Sequence, residues 1–208
     1  MTSGALLALA ALAVLPLLLV SLTCFAKLAV VLALLRNALG SPQVPPTLVL
    51  TGAALALSLV VMAPVAGAVW REAGPAITAA DATPTTLIEA AGRAREPIRE
   101  FLSRHGHTRD KEVFLDLARK LGTTDAQPND LAVVAPAFVT SELKEAFTIG
   151  FLIFLPFLVL DLLVASVLAS IGFQQLQPST VALPFKLLLF VAVDGWLIVA
   201  RGLLLGYV

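Results

Sequence analysis

The chain has 208 residues, 59% of them hydrophobic and only 13% charged, with a mean hydropathy of +0.94. Soluble domains carry roughly a quarter of their residues as charges, so an ordinary soluble fold is excluded. The 14 basic and 14 acidic side chains cancel to a net charge of zero, which offers none of the basic surface that a nucleic-acid partner needs.

The charges are unevenly placed. Arg71–Glu145 holds 10 of the 14 Lys and Arg and 12 of the 14 Asp and Glu, leaving only Lys27, Arg36, Lys186, Arg201, Asp161 and Asp194 elsewhere. The chain is therefore apolar, then polar, then apolar. This pattern predicts an all-α, membrane-associated protein with four long apolar helices in two hairpins and a small helical hydrophilic insert. The expected boundaries are 1–70, 71–145 and 146–208. The single Cys24 excludes an internal disulfide and reads as a small buried apolar residue.

In chain order, residues 1–26 carry no charge, and Lys27 is the only charged residue before Arg36. A cleaved secretory signal has a basic start and a short apolar middle. An uncleaved first helix, about Gly4–Leu35 with a bend near Pro16, is expected instead. Asn37–Pro46 is a break, with Gly40 suited to a helix C-terminus and prolines that cannot continue one. A second apolar helix, about Thr47–Trp70, is rich in small residues and contains Pro64. Small residues at a spacing of four let helix backbones approach closely.

Three short amphipathic helices are expected in the insert. Thr83–Pro84 starts the first, Pro97–Arg104 forms the second, and Asp110–Leu121 forms the third. In the third, Val113, Phe114, Leu117 and Leu121 share one face, and Gly122 stops the helix. His105 and His107 are two potential metal ligands without supporting Cys or carboxylate geometry, and the mixed charges around them read as a solvated face. Ser141 is a candidate N-cap for a third long helix reaching about Ile171, favoured by Glu142 and Glu145. The loop Gly172–Pro184 leads to a last helix from about Phe185. With four crossings, Arg36 favours a cytoplasmic loop at 37–46 and an insert on the other side.

Asp161, Lys186 and Asp194 lie inside apolar stretches, where an unpaired charge costs roughly 2.5–3.5 kcal/mol on insertion scales. They must be paired or face a protein interior. Lys186 and Asp194 are about 12 Å apart along one helix, so pairing across helices or subunits is expected. A proton relay through Asp161 and Asp194 is the functional alternative. In the loop, Gly172 supplies backbone freedom, Phe173 and Leu176 are bulky, and Gln174, Gln175 and Gln177 are polar but uncharged. Several such loops around an axis would make a constriction that closes without charge, and a single one suits an interfacial turn equally well. No nucleophile–base set, phosphate loop or dinucleotide fingerprint is present.

These residues also carry a resemblance. LLRNALGSPQVPP (Leu34–Pro46), PAFVTSELKEAFTIGFLIFLPFLVLDLLVASVL (Pro136–Leu168) and LPFKLLLFVAVDGW (Leu183–Trp196) resemble, in order, three blocks of the pore-forming export-apparatus subunit of type III secretion systems. That family is shared by virulence injectisomes and the flagellar export machine. PIREFLSRHGHTRDKEVFLDLA (Pro97–Ala118) has the rhythm of its insert. The resemblance implies a non-enzymatic, cofactor-free role. Five copies would assemble with two smaller membrane subunits, beside a large export-gate subunit, into a closed-tipped gate for unfolded substrate proteins. The complex would belong to the bacterial inner membrane and project to the periplasmic side. The family's loop reads as a Gly followed by several methionines that form a gasket. Here Gly172, Phe173, Gln174, Gln175 and Leu176 stand in that region, and Phe173 is the expected closing side chain. Asp161, Lys186 and Asp194 match family positions and are expected to be inter-helix or inter-subunit ion pairs. The lack of a signal segment favours the injectisome branch. Two other classes are a small ion- or proton-coupled transporter using Asp161 and Asp194, and a membrane-anchored sensor with residues 71–145 as its ligand domain.

Overall fold

The computed structural model describes residues 13, 19–41, 43–78, 83–173 and 175–208, which are mostly helical with no strand among them. The helices are α1 (Phe25–Ala38), α2 (Thr47–Thr78), α3 (Pro84–His105), α4 (Thr108–Lys120), α5 (Leu131–Ser170), α6 (Pro178–Ala192) and α7 (Gly195–Leu205). Two of them, α2 and α5, are long and apolar enough to cross a membrane, and α6 with α7 makes a third if the bent pair is one span. The chain forms two compact units, 1–26 with 58–143 and 27–57 with 144–208.

Several helix boundaries differ from the sequence expectation. Pro16 lies outside the described residues. The first apolar stretch breaks at Thr23–Cys24, where the Thr23 hydroxyl accepts the Phe25 N–H at 3.2 Å and draws the backbone out of the helix. Helix α2 does not stop at Trp70 but runs to Thr78 through both Pro64 and Pro75. The charges from Arg71 onward mark the end of its apolar stretch, not of its helix. The expected first two insert helices are one: α3 passes through Pro97. Its predicted start is correct, with Thr83 and Thr86 exchanging side-chain and backbone bonds in a capping box.

In the first unit, the core is built from Phe101, Leu102, Val133, Val134, Ala137 and Phe138, all buried. The Phe101 ring lies 5.7 Å from Phe138 and 4.6 Å from His105. Cys24 is fully buried and its Sγ donates to Ser58 Oγ at 3.3 Å.

Ser141 is not a cap. Helix α5 begins at Leu131, and Ser141 sits in its interior with no exposed surface. Its hydroxyl lies 2.8 Å from both Asp110 Oδ2 and the Ala137 carbonyl, and it accepts the His107 N–H at 2.9 Å. One side chain thus holds the start of α4 against α5. Asp110, 5% exposed, is drawn inward, which rotates α4 and leaves Val113, Leu117 and Leu121 exposed instead of packed as the stripe suggested. Ser141→Ala is expected to cost about 1–3 kcal/mol because buried polar atoms lose their partner. Denaturant unfolding in detergent micelles checks it.

In the second unit, α1 and α5 run parallel. Lys27, at the start of α1, donates to Glu145 Oε2 at 2.8 Å, whereas the far end of α1, at Ala38, is tied through Lys186 to Asp161. Between these ties Gly150 gives close passage: a Cβ there would overlap the Leu34 side chain. Gly150→Ala is expected to lose about 1–3 kcal/mol by overpacking, with most of it restored by adding Leu34→Ala.

Candidate functional site

Helices α5 and α6 form an antiparallel hairpin. Asp161 meets Lys186 at 2.7 Å, and one step toward the base the rings of Phe157 and Phe190 lie 6.5 Å apart. Lys186 is 3% exposed and its Nζ also donates to the Ala38 carbonyl at 3.2 Å. That carbonyl is in the last turn of α1, where the helix dipole favours a cation. A single ammonium therefore joins α1, α5 and α6. The Oδ2 atom of Asp161 takes this bond, while its Oδ1 is buried with no partner among the described residues.

The hairpin continues past this joint. From Asp161 to Ser170 and from Lys186 back to Pro178, the two legs rise about 12–13 Å beyond the end of α1, at 1.5 Å per residue. Residues 162–185 contain no charged side chain. Most are exposed, including Leu162, Leu163, Val167, Ile171 and Phe185. The tip is closed by a tight C-terminal cap. Gly172 adopts φ +81°, its N–H donates to the Ala169 carbonyl at 3.2 Å, and the Phe173 N–H reaches the Leu168 carbonyl at 3.0 Å. This bonding pattern fixes the backbone of Phe173 directly at the helix end, with its side chain 56% exposed. Leu176 and Gln175 are also exposed, and Gln174 lies outside the described residues. The loop is shorter than expected because Pro178, not Phe185, opens α6.

Asp194 stands elsewhere. It is exposed at the break between α6 and α7, in the left-handed region at φ 53°, and has no ion-pair partner among the described residues of this chain. The expected continuous last helix is bent there by 62°. His105 packs on Phe101, and His107 precedes α4 with its Nδ1 3.9 Å from Asp110 Oδ2.

The sequence reading missed a second charged joint. Lys27, 1% exposed, sits between Glu145 and the face of Tyr207, whose ring centroid is 3.9 Å from Nζ. A lone lysine in an apolar helix was the available signal, but its partners are far away in sequence.

Helices long and apolar enough to cross a membrane, lysines buried against carboxylates and an uncharged protruding hairpin define a helical membrane protein. Comparison with known proteins makes this specific. The FliP family model matches residues 8–203, and the chain belongs to that family. It is 45% identical over 202 residues to the hypersensitivity response secretion protein HrcR of Ralstonia nicotianae, covering 95% of this chain and 93% of the relative. It is 41% identical to the flagellar biosynthetic protein FliP of Bacillus subtilis, over 97% of this chain and 90% of the relative. The Yop proteins translocation protein R of Yersinia pestis is 41% identical over 94% of this chain and 92% of its own length. The relatives are thus components of type III secretion and flagellar export apparatus, and this chain is a membrane protein of that class.

Proposed function

We propose that this chain is the pore-forming subunit of a type III protein export gate. Its hairpin loops, contributed by several copies around an axis, close the path that unfolded substrate proteins take. The observation that carries this reading is the hairpin tip at 162–185: it bears no charge, protrudes beyond α1, and ends in a capped loop that presents Phe173. A constriction of apolar and neutral polar side chains excludes water and ions while remaining deformable. The exposed apolar residues of α2 and α5, such as Leu59, Phe147 and Phe151, need lipid or protein neighbours. Assembly of five copies with two smaller membrane subunits and a large export-gate subunit would supply these. In this reading Asp161–Lys186 anchors each hairpin, and Asp194 faces a neighbouring subunit. The complex sits in the bacterial inner membrane and projects toward the periplasm.

Native mass spectrometry of the detergent-extracted protein, expressed with and without the smaller subunits, tests the assembly. A five-fold complex that gains those subunits supports the gate. A monomer or dimer indifferent to them overturns it. Within the assembled complex, Phe173→Ala is expected to raise ion leakage several-fold in liposomes without changing the complex mass. Unchanged leakage would remove Phe173 from the seal. Ion flux through the purified single subunit that disappears in Asp161→Asn would support a transporter instead.

A further inference from the structure

We propose that α7 is a hinged arm that moves between the seated position seen here and one collinear with α6. The hinge is Asp194. It is the sole non-glycine residue with positive φ among the described residues, and its carboxylate makes no capping bond to the start of α7. On one side of it, the Val193 and Asp194 N–H groups bond back into α6, to the carbonyls of Leu189 and Val191. On the other, Leu197 and Ile198 bond to the Asp194 carbonyl. The N–H groups of Gly195 and Trp196 have no backbone acceptor among the described residues. Rotation of Asp194 into the ordinary helical region would give these two groups the carbonyls of Val191 and Ala192 and relieve the left-handed residue. The bent form forgoes both.

What holds the bent form is side-chain contact, through Leu203, 2% exposed in the middle of α7, and at both ends of the helix. At the hinge, the Phe190 ring fills the space a Cβ on Gly195 would need, and it meets Trp196 edge-on at 5.2 Å and Phe157 at 6.5 Å. At the far end, the Tyr207 ring lies on buried Lys27, which Glu145 also holds. Each form satisfies groups that the other leaves open: backbone donors in the straight helix, aromatic and cation–π contacts in the bent one. Such an arrangement is a two-state element that a modest local change tips.

The test is a distance measurement by pulsed electron–electron resonance on the full chain in nanodiscs. Spin labels replace exposed Ser179 and Leu205, and buried Cys24 is changed to Ala. With the 62° bend the labelled backbone positions are about 34 Å apart, against about 39 Å when collinear at 1.5 Å per residue. Gly195→Ala clashes with Phe190 only in the bent form, and Tyr207→Leu removes the ring contact on Lys27 without touching the hinge. A second peak about 5 Å longer in either variant supports the arm. A single peak at the original distance in both variants overturns it, as does a broad distribution without the longer peak.

Discussion

Asp161→Ala is expected to destabilise the chain by about 3–5 kcal/mol, the usual consequence of stranding one member of a buried ion pair. Lys186 is 3% exposed, and its hydrogen-bonded partners in the structure are Asp161 and one backbone carbonyl. Without the carboxylate, a full positive charge stays in an apolar setting with a single neutral acceptor. Lys186→Met should cost less, about 1–3 kcal/mol, because 29% of the Asp161 side chain is exposed and water reaches it. It leaves Asp161 with both oxygens short of donors, since Oδ1 already has none, and it uncaps α1 at Ala38. The double variant Asp161→Leu with Lys186→Met is the informative one. Replacing a buried pair by apolar groups of similar size is often neutral, so most of the loss should return, leaving about 1 kcal/mol for the carbonyl of Ala38. Denaturant unfolding of the unmodified chain, Asp161→Leu, Lys186→Met and the double variant in detergent micelles closes the double-mutant cycle. Additive losses would show that the 2.7 Å contact carries no coupling.

How far the sequence foresaw this arrangement depends on whether each signal was local. The break after Gly40, the Thr83 cap and the stop at Gly122 all rest on residues within one turn of each other. Each appears where expected. Ser141 shows the limit. A serine followed by Glu142 and Glu145 has the right chemistry for a cap, but the hydroxyl is used across helices, on Asp110. The apolar run from Leu131 continues the helix backward, past Pro136, which removes only one backbone bond. The break at Asp194 did have a local signal. Asp followed by Gly favours a turn, and Asp tolerates the left-handed region better than most residues. The apolar sequence on either side outweighed it. Pairing Lys186 with Asp161 was legible because both charges stand alone in apolar helices joined by one loop. Lys27 had the same isolation, but its partner lies 118 residues on, and nothing near it in sequence indicates Glu145.

At that second joint the two single variants should differ. Lys27 has 2% of its side chain exposed and Glu145 35%. Glu145→Ala removes the carboxylate at 2.8 Å from a buried ammonium, and the Tyr207 ring offsets part of the loss, since a desolvated cation–π contact is worth about 2 kcal/mol. A net destabilisation of about 2–4 kcal/mol is expected. Lys27→Met places an apolar side chain of similar length in the same pocket and leaves a carboxylate that water already reaches. That change should cost about 1 kcal/mol or less, as for an exposed pair. The order matters more than either value, because it follows from which member of the pair is buried. Adding Tyr207→Leu sharpens the contrast. It should deepen the loss in the Glu145→Ala background, where the ring is a remaining cover for the charge. With Lys27→Met it should change little, since no cation is left for the ring to hold. Equal losses for Glu145→Ala and Lys27→Met in detergent unfolding would mean that burial of Lys27 does not set the energetics of the joint. The clasp between α1, α5 and the end of α7 would then have to be attributed to apolar packing alone.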